Sequence, residues 1–237
     1  MSTQVVLVPG FWLGAWAWDA VVPPLREGGH DVLALTLPGL DPDADPAAVT
    51  LEDQAEAIVA ALDRAADRRV LVVHSGAAVP GTLVLDRHPE LVDHVVFVDT
   101  APVRDGYAMK ADLEGDTLPL SAVWDDEMGD GSMRDLTDAQ LDVFRQRAVP
   151  QPAATVREPV SLTNPARLAV PATVVCTAFP SEEYRSYAEQ GAPFLAGLLD
   201  QADVTYVDLP TGHWPMWSRP RELADAIGAV AAGAQSA

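Results

Sequence analysis

The chain has 237 residues, of which 49% are hydrophobic and 21% are charged, a composition typical of a folded globular protein. Fifteen Lys and Arg residues against 35 Asp and Glu residues give a formal net charge of −20. Such an acidic chain lacks the cationic surface that nucleic-acid binding requires, and it is disfavoured at anionic membranes. We therefore expect a small-molecule partner, with no nucleic acid and no membrane.

The first residues, MSTQVVLVPG, show no basic segment followed by a cleavable apolar one, so we expect no secretory signal. The apolar stretch at 5–18 contains Pro9, Gly10 and Gly14, and it is too short to span a bilayer. Cys176 is the only cysteine, which excludes a disulfide within the chain. Together these features predict a cytoplasmic protein.

Short β-branched runs alternate with longer Ala- and Leu-rich segments. The runs are apolar on both faces, as in VVLV at 5–8 and VLVV at 70–73, which is typical of parallel strands covered by helices on both sides. Strands are predicted at 5–8, 32–37, 70–74, 95–99, 172–177 and 204–209, and helices at 15–27, 51–67, 76–88, 138–148, 181–200 and 219–231. The alternation predicts an α/β fold with a mostly parallel sheet flanked by helices.

The alternation is interrupted at residues 103–169. This stretch is rich in Gly, Pro and acidic residues, and it contains one clear helical pattern at 138–148. Because it is too long for a plain loop, we predict a helical cap over the carboxyl ends of the strands, where ligands bind in open α/β sheets. The predicted domains are a core formed by 1–102 and 170–237 and a cap formed by 103–169.

A serine occupies the junction between the third predicted strand and the following helix, in the sequence VLVVHSGAA at 70–78. A strand, a serine and a helix in this order are the context of a nucleophile elbow. The elbow requires small residues two positions before and after the nucleophile Ser75; Ala77 fits this requirement and Val73 does not. A serine that only caps the helix is the structural alternative. The preceding His74 points away from Ser75 along the strand, so we predict that it is a buried orienting residue.

Two further segments carry groups that acyl transfer needs. The loop after the first strand, PGFW at 9–12, can present the Phe11 N–H beside the Gly76 N–H to form an oxyanion hole. After the last strand, the sequence LPTGHWP at 209–215 places His213 at a strand's carboxyl end. The order serine, acid, histidine along the chain is the order of an elbow enzyme.

On these motifs the chain resembles the α/β-hydrolases. Its first 40 residues, which include VPGFWLGAWAWDAVVPPLREGGHDVLALTLPG, are similar to the branch that holds the plant hydroxynitrile lyases and methylesterases. The resemblance covers 4–102 and 170–231, and it implies Ser75 as nucleophile, His213 as base, and the N–H groups of Phe11 and Gly76 as the oxyanion hole. The chain departs from the family pattern at Pro9, where the family has histidine, and at Val73.

The acid is assigned less directly. The family usually carries an aspartate in the turn after the strand at 172–177, but this turn reads AFPSEE at 178–183. Asp99 ends the preceding strand, a position similar to that of the acid in haloalkane dehalogenases. A carboxylate there is costly to bury unless it is paired, and a histidine N–H would pair it. We predict Asp99 as the acid; Glu182 or Glu183, or a loop-capping Asp99 without an acid role, stay open.

The predicted function is a serine hydrolase that cleaves a carboxylic ester, lactone or thioester of a small apolar substrate through an acyl-enzyme. The alternatives are a lyase that uses the same triad and a non-catalytic ligand-binding protein. The resemblance favours the esterase, because the lyases have threonine at Gly10 and lysine at Trp214. Neither a nucleotide-binding glycine motif nor a metal-ligand cluster occurs, so no cofactor and no metal are predicted. The predicted substrate pocket is lined by aromatic residues: Trp12, Trp124, Phe179, Trp214 and Trp217.

Overall fold

The computed structural model describes residues 2–63 and 65–233. The predicted core extends to residues 1, 64 and 234–237, which lie outside the described residues. The strands are β1 (Thr3–Val8), β2 (Asp31–Ala34), β3 (Arg68–His74), β4 (His94–Val98), β5 (Thr117–Leu118), β6 (Gln151–Pro152), β7 (Ala172–Cys176) and β8 (Val204–Asp208).

Six of these strands form one sheet in the order β2-β1-β3-β4-β7-β8, and every neighbouring pair in it is parallel. Because the strands are parallel, the carboxyl ends of β3, β4 and β8 lie along one edge of the sheet. β5 and β6 form a separate antiparallel pair. The predicted α/β fold with a mostly parallel sheet is confirmed.

The helices lie between the strands along the chain, except for the last two, which follow β8. They are α1 (Val22–Glu27), α2 (Leu51–Ala61), α3 (Ala78–Arg87), α4 (Trp124–Gly129), α5 (Asp138–Arg147), α6 (Ala153–Arg157), α7 (Ser181–Glu189), α8 (Pro215–Ser218) and α9 (Pro220–Ala231). Short 3₁₀ helices occur at Ala15–Trp18, Pro46–Ala48, Ser75–Ala77, Pro89–Leu91, Leu120–Ala122, Pro165–Ala169 and Ala196–Asp200. Within the described ranges no helix is long and apolar enough to cross a membrane.

Three predicted helices are shorter than expected. The helix predicted at 15–27 is interrupted, because the 3₁₀ helix Ala15–Trp18 is followed by a turn before α1 begins. The prediction at 51–67 is too long: α2 ends at Ala61, and the Asp63 N–H donates to the Gln4 side chain, 2.8 Å away. The prediction at 181–200 is divided, since Gly191 adopts a left-handed φ of 84° just after α7, a common way to end a helix.

Buried apolar side chains lie on both faces of the sheet and form two clusters. The four residues of β3 from Val70 to Val73 are fully buried, as expected for a central strand covered on both sides. Helices α2 and α3 pack on one face, and α1 and α9 pack on the other. This packing fixes the carboxyl edge of the sheet, where the candidate site lies.

Residues 103–169 contain β5, α4, α5, β6 and α6. Phe144 of α5 is fully buried, and its ring centroid lies 6.4 Å from that of Trp12 and 4.7 Å from that of Trp214. The segment therefore packs against loops that follow β1 and β8. Its assignment as a separate cap domain stays a prediction.

Candidate active site

Ser75 directly follows β3 as the first residue of the 3₁₀ helix that leads into α3, and its φ is 51°. A non-glycine residue in this region is strained and must be held by its surroundings. A Cβ on Gly10 would lie 2.9 Å from the Ser75 Cβ, so the loop after β1 packs directly on the turn. Val73 is tolerated because it faces Gly81 of α3, where an added Cβ would lie 2.7 Å from Val73 Cγ1. Val73 is larger than the elbow pattern allows, and it fits because Gly81 on the facing helix has no side chain.

The structure brings Ser75, His213 and Asp99 into one chain of hydrogen bonds. Ser75 Oγ lies 2.7 Å from His213 Nε2, and His213 Nδ1 lies 2.5 Å from Asp99 Oδ2. The carboxylate fixes a proton on Nδ1, which leaves Nε2 free to accept the serine proton. Glu182 and Glu183, the alternative acids, are exposed at the start of α7.

Asp99 is buried at the end of β4 and adopts a φ of 48°. Its Oδ1 accepts the Thr177 N–H at 3.1 Å, the Ala178 N–H at 3.0 Å and the Tyr184 hydroxyl. Burial raises the pKa of Asp99, but His213 and these donors outweigh it, so the net pKa lies well below the usual range. Asp99 is therefore a carboxylate at neutral pH, with both oxygens satisfied. Tyr184 is not predicted as a site residue, because its contact with Asp99 spans 85 residues and leaves no local pattern in the sequence.

The pKa values of the two histidines of the site are shifted in opposite directions. Burial lowers the pKa of His213, but the hydrogen bond and the charge of Asp99 outweigh burial and raise it above its usual value. Burial, and then the proximity of His213, lower the pKa of His74 to about 3. His74 therefore stays neutral, and its Nε2 lies 2.7 Å from the His213 carbonyl oxygen. This contact agrees with the predicted orienting role of His74.

Phe11 and Gly76 lie against each other beside Ser75. A Cβ on Gly76 would overlap the Phe11 ring, so only glycine permits this approach. The Gly76 N–H belongs to the first turn of a helix, where N–H groups have no intrahelical acceptor, and the Phe11 N–H donates to none of the described residues. The next residue, Trp12, has φ of 66° and is held by hydrogen bonds to the 103–169 segment. The assignment of these two N–H groups as an oxyanion hole stays a prediction.

The predicted pocket residues lie in three places: a tryptophan cluster formed by Trp12, Trp214 and Trp217, then Trp124, and then Phe179. Trp12 and Trp214 are buried, with ring centroids 6.4 Å apart, and Trp217 stacks on Trp214 at 5.8 Å. Trp124 lies beyond Phe144, at 6.2 Å, and lines an open cavity of about 400 Å³. Phe179 is 41% exposed and packs on Tyr184 and Tyr187, so the structure does not bring it to the tryptophan cluster.

No group of three potential metal ligands occurs among the residues that the structure describes. The chemistry that this arrangement can perform is nucleophilic attack by Ser75, with proton transfer to His213 and charge stabilisation by two N–H groups.

Comparison with known proteins identifies a family and partial relatives. A family model described as the alpha/beta hydrolase family matches residues 5–226. Methylesterase 9 of Arabidopsis thaliana is 37% identical over 97 residues, which are 39% of this chain and 38% of that protein. Esterase PIR7B of Oryza sativa subsp. japonica is 37% identical over 103 residues, 40% of this chain and 38% of that protein. The matched region therefore spans less than half the length of these curated relatives.

Solved structures extend the likeness to nearly the whole chain. A pyrethroid hydrolase from Sphingobium faniae has a TM-score of 0.70 at 20% identity and covers 98% of both chains. A variant of tomato methylketone synthase I has a TM-score of 0.75 at 16% identity and covers 99% of this chain and 100% of its own. At these identities the likeness shows the fold alone.

Proposed function

The chain belongs to the alpha/beta hydrolase family, and we propose that it is a serine hydrolase that cleaves a carboxylic ester of a small apolar substrate. Lactones and thioesters, which present the same carbonyl carbon, fall within the proposal. The observation that carries it is the unbroken hydrogen-bond chain from Ser75 through His213 to Asp99. Partial relatives that are named esterases support the same reaction class.

In the proposed reaction, Ser75 Oγ attacks the substrate carbonyl while its proton passes to His213 Nε2. The oxyanion accepts hydrogen bonds from the N–H groups of Phe11 and Gly76. The carbon–oxygen bond to the leaving alcohol then breaks, and His213 gives its proton to that alcohol. Water hydrolyses the acyl-enzyme by the same steps, with His213 again acting first as base and then as acid. Asp99 stays ionised throughout and holds His213 in the required tautomer.

The acyl or alcohol group of the substrate is proposed to bind beside the cluster of Trp12, Trp214 and Trp217, in which Trp217 is half-buried and Trp214 stacks beneath it. Trp12 lies next to Phe11 in the chain, and Trp214 lies next to His213, with ring centroids 5.0 Å apart. A single peptide bond therefore links Trp12 to Phe11, whose N–H is proposed to bind the oxyanion, and another links Trp214 to the proposed base His213. Apolar walls with a few polar groups are typical of small-molecule sites.

The proposal is tested by the hydrolysis of p-nitrophenyl acetate and butyrate. We expect turnover by the wild type and, in Ser75→Ala, a loss of roughly 10³-fold or more. Ser161→Ala, which alters an exposed serine, is the matched control and should retain full activity. Equal turnover by wild type and Ser75→Ala would contradict the proposal.

The alternatives have different outcomes in the same assays. The positions at which the related lyases carry threonine and lysine hold Gly10 and Trp214 here, and the only lysine, Lys110, is exposed in the 103–169 segment. Release of cyanide from mandelonitrile that disappears in Ser75→Ala would replace the esterase with a lyase. Ligand binding without any turnover would favour a non-catalytic protein.

A further inference from the structure

Arg134 lies in the 103–169 segment, yet it contacts both loops that support the triad. Its Nη2 donates to the carbonyl oxygen of Thr211, two residues before His213, and to that of Thr177 at 3.5 Å. Thr177 in turn donates its N–H to Asp99. One guanidinium nitrogen thus joins the loop that carries the base to the loop that holds the acid.

Residues 132–135, which we call the clamp, pack on the loop that carries His213. The His213 N–H donates to the Ser132 carbonyl oxygen at 2.8 Å, and the Thr211 hydroxyl lies 3.0 Å from Asp135 Oδ2. A Cβ on Gly212 would lie 2.6 Å from the Ser132 oxygen. The clamp is thus in direct contact with the loop, and its Ser132 carbonyl group is hydrogen-bonded to the backbone of His213 itself.

We propose that Arg134 is a positioning residue that holds His213 in register with Asp99 by joining the Thr177 and Thr211 carbonyl groups. This inference rests on the proposed function, because it assigns Arg134 a part in the alignment of the same triad. Arg134 does not reach the reacting atoms. It acts through the backbone of the two loops.

Because Arg134 is exposed, its proposed positioning role can be distinguished from a contribution to core packing. Shortening its side chain opens no cavity and removes little buried apolar surface. The Thr211 N–H also donates to the Thr177 oxygen, at 3.2 Å, which keeps the loops folded without Arg134. Its loss should therefore affect the alignment of the triad more than the stability of the fold.

The test compares Arg134→Gln with Arg157→Gln. Arg157 is a matched control, because it lies in the same segment and one of its nitrogens donates to two carbonyl oxygens, those of Leu113 and Gly115, away from the triad. Ester hydrolysis gives kcat and KM. Proton NMR of the free enzyme gives the downfield Nδ1–H resonance of His213, which His213→Asn identifies.

We expect kcat of Arg134→Gln to fall about 10- to 100-fold, as small displacements of catalytic groups do, while KM changes less than about threefold. The Nδ1–H resonance should shift or broaden in Arg134→Gln and stay unchanged in Arg157→Gln. Arg134→Lys keeps the charge without the planar fork, should give an intermediate loss, and serves as the test if Arg134→Gln does not fold.

An unchanged kcat and an unchanged resonance in Arg134→Gln would overturn the inference while leaving the hydrolase intact. A wild type without esterase activity would overturn the proposed function instead. In that case the resonance still decides the role of Arg134, because it reports the His213–Asp99 hydrogen bond without any substrate.

Discussion

Gly81→Ala is expected to destabilise the fold, although alanine is the better helix former. Gly81 lies inside α3, where the exchange by propensity alone would stabilise by up to about 1 kcal/mol. The new Cβ would lie 2.7 Å from Val73 Cγ1, on a fully buried and conformationally stiff side chain. Overpacking of a dense core costs roughly 1–3 kcal/mol. With the full propensity gain set against this cost, the net expectation is a loss of up to about 2 kcal/mol.

A double-mutant cycle with Val73→Ala isolates this contact. Removing Cγ1 costs stability by itself, but in that background Gly81→Ala should become neutral or stabilising, which gives a coupling of roughly 1–3 kcal/mol. The assay is urea unfolding of the wild type, both single variants and the double variant. Gly228→Ala in α9 is the control, since its Cβ would meet only Leu25 Cδ2, at 3.7 Å, and it should be neutral or stabilising.

The same effect of Gly81→Ala in both backgrounds would refute the account of how Val73 is accommodated. So would a Gly81→Ala variant as stable as Gly228→Ala.

Three further predictions concern stability. Tyr184→Phe removes a donor to the buried Asp99 carboxylate and should cost about 1.5–3 kcal/mol at pH 7; urea unfolding with no change would contradict this. The lowered pKa of His74 means that its contribution is complete above its unfolded pKa of 6.5 and is lost as pH falls towards about 3. Between pH 6.5 and 5, the free energy of unfolding of His74→Gln should therefore fall by about 2 kcal/mol less than that of the wild type. Parallel profiles of unfolding free energy against pH would contradict this. Thr50→Ala removes the capping box with Asp53 and should cost about 1 kcal/mol; an unchanged melting temperature would contradict this.

The sequence was most informative where local chemistry decides the structure. The apolar runs predicted all six strands of the main sheet, because a parallel sheet covered on both faces requires such runs. The junction of strand, Ser75 and helix was visible for the same reason, since the turn and its neighbours are adjacent in the chain. The helix predicted at 181–200 is too long, because Gly191 and Pro193 are helix-ending residues and α7 ends just before them.

The position of Asp99, the predicted acid, shows what the sequence could indicate and what it could not. Asp99 ends β4, whereas the family pattern puts an aspartate in the turn after β7. In the structure that turn supplies the N–H groups of Thr177 and Ala178 to Asp99 instead. The position of Asp99 at the end of a strand could be predicted from the sequence. The hydrogen bond from Tyr184 to Asp99 and the contacts of Arg134 could not, because they join residues that are 43 to 85 positions apart.

The most direct test of the account is active-site labelling with a fluorophosphonate probe, read by intact mass and peptide mapping. We predict one adduct on Ser75 of the wild type and none on Ser75→Ala. Labelling of Asp99→Asn should be slower by about 10³- to 10⁴-fold, because His213 then loses its required tautomer. An unlabelled wild type, or an adduct on a different serine that persists in Ser75→Ala, would contradict the assignment of Ser75, His213 and Asp99 as the catalytic groups.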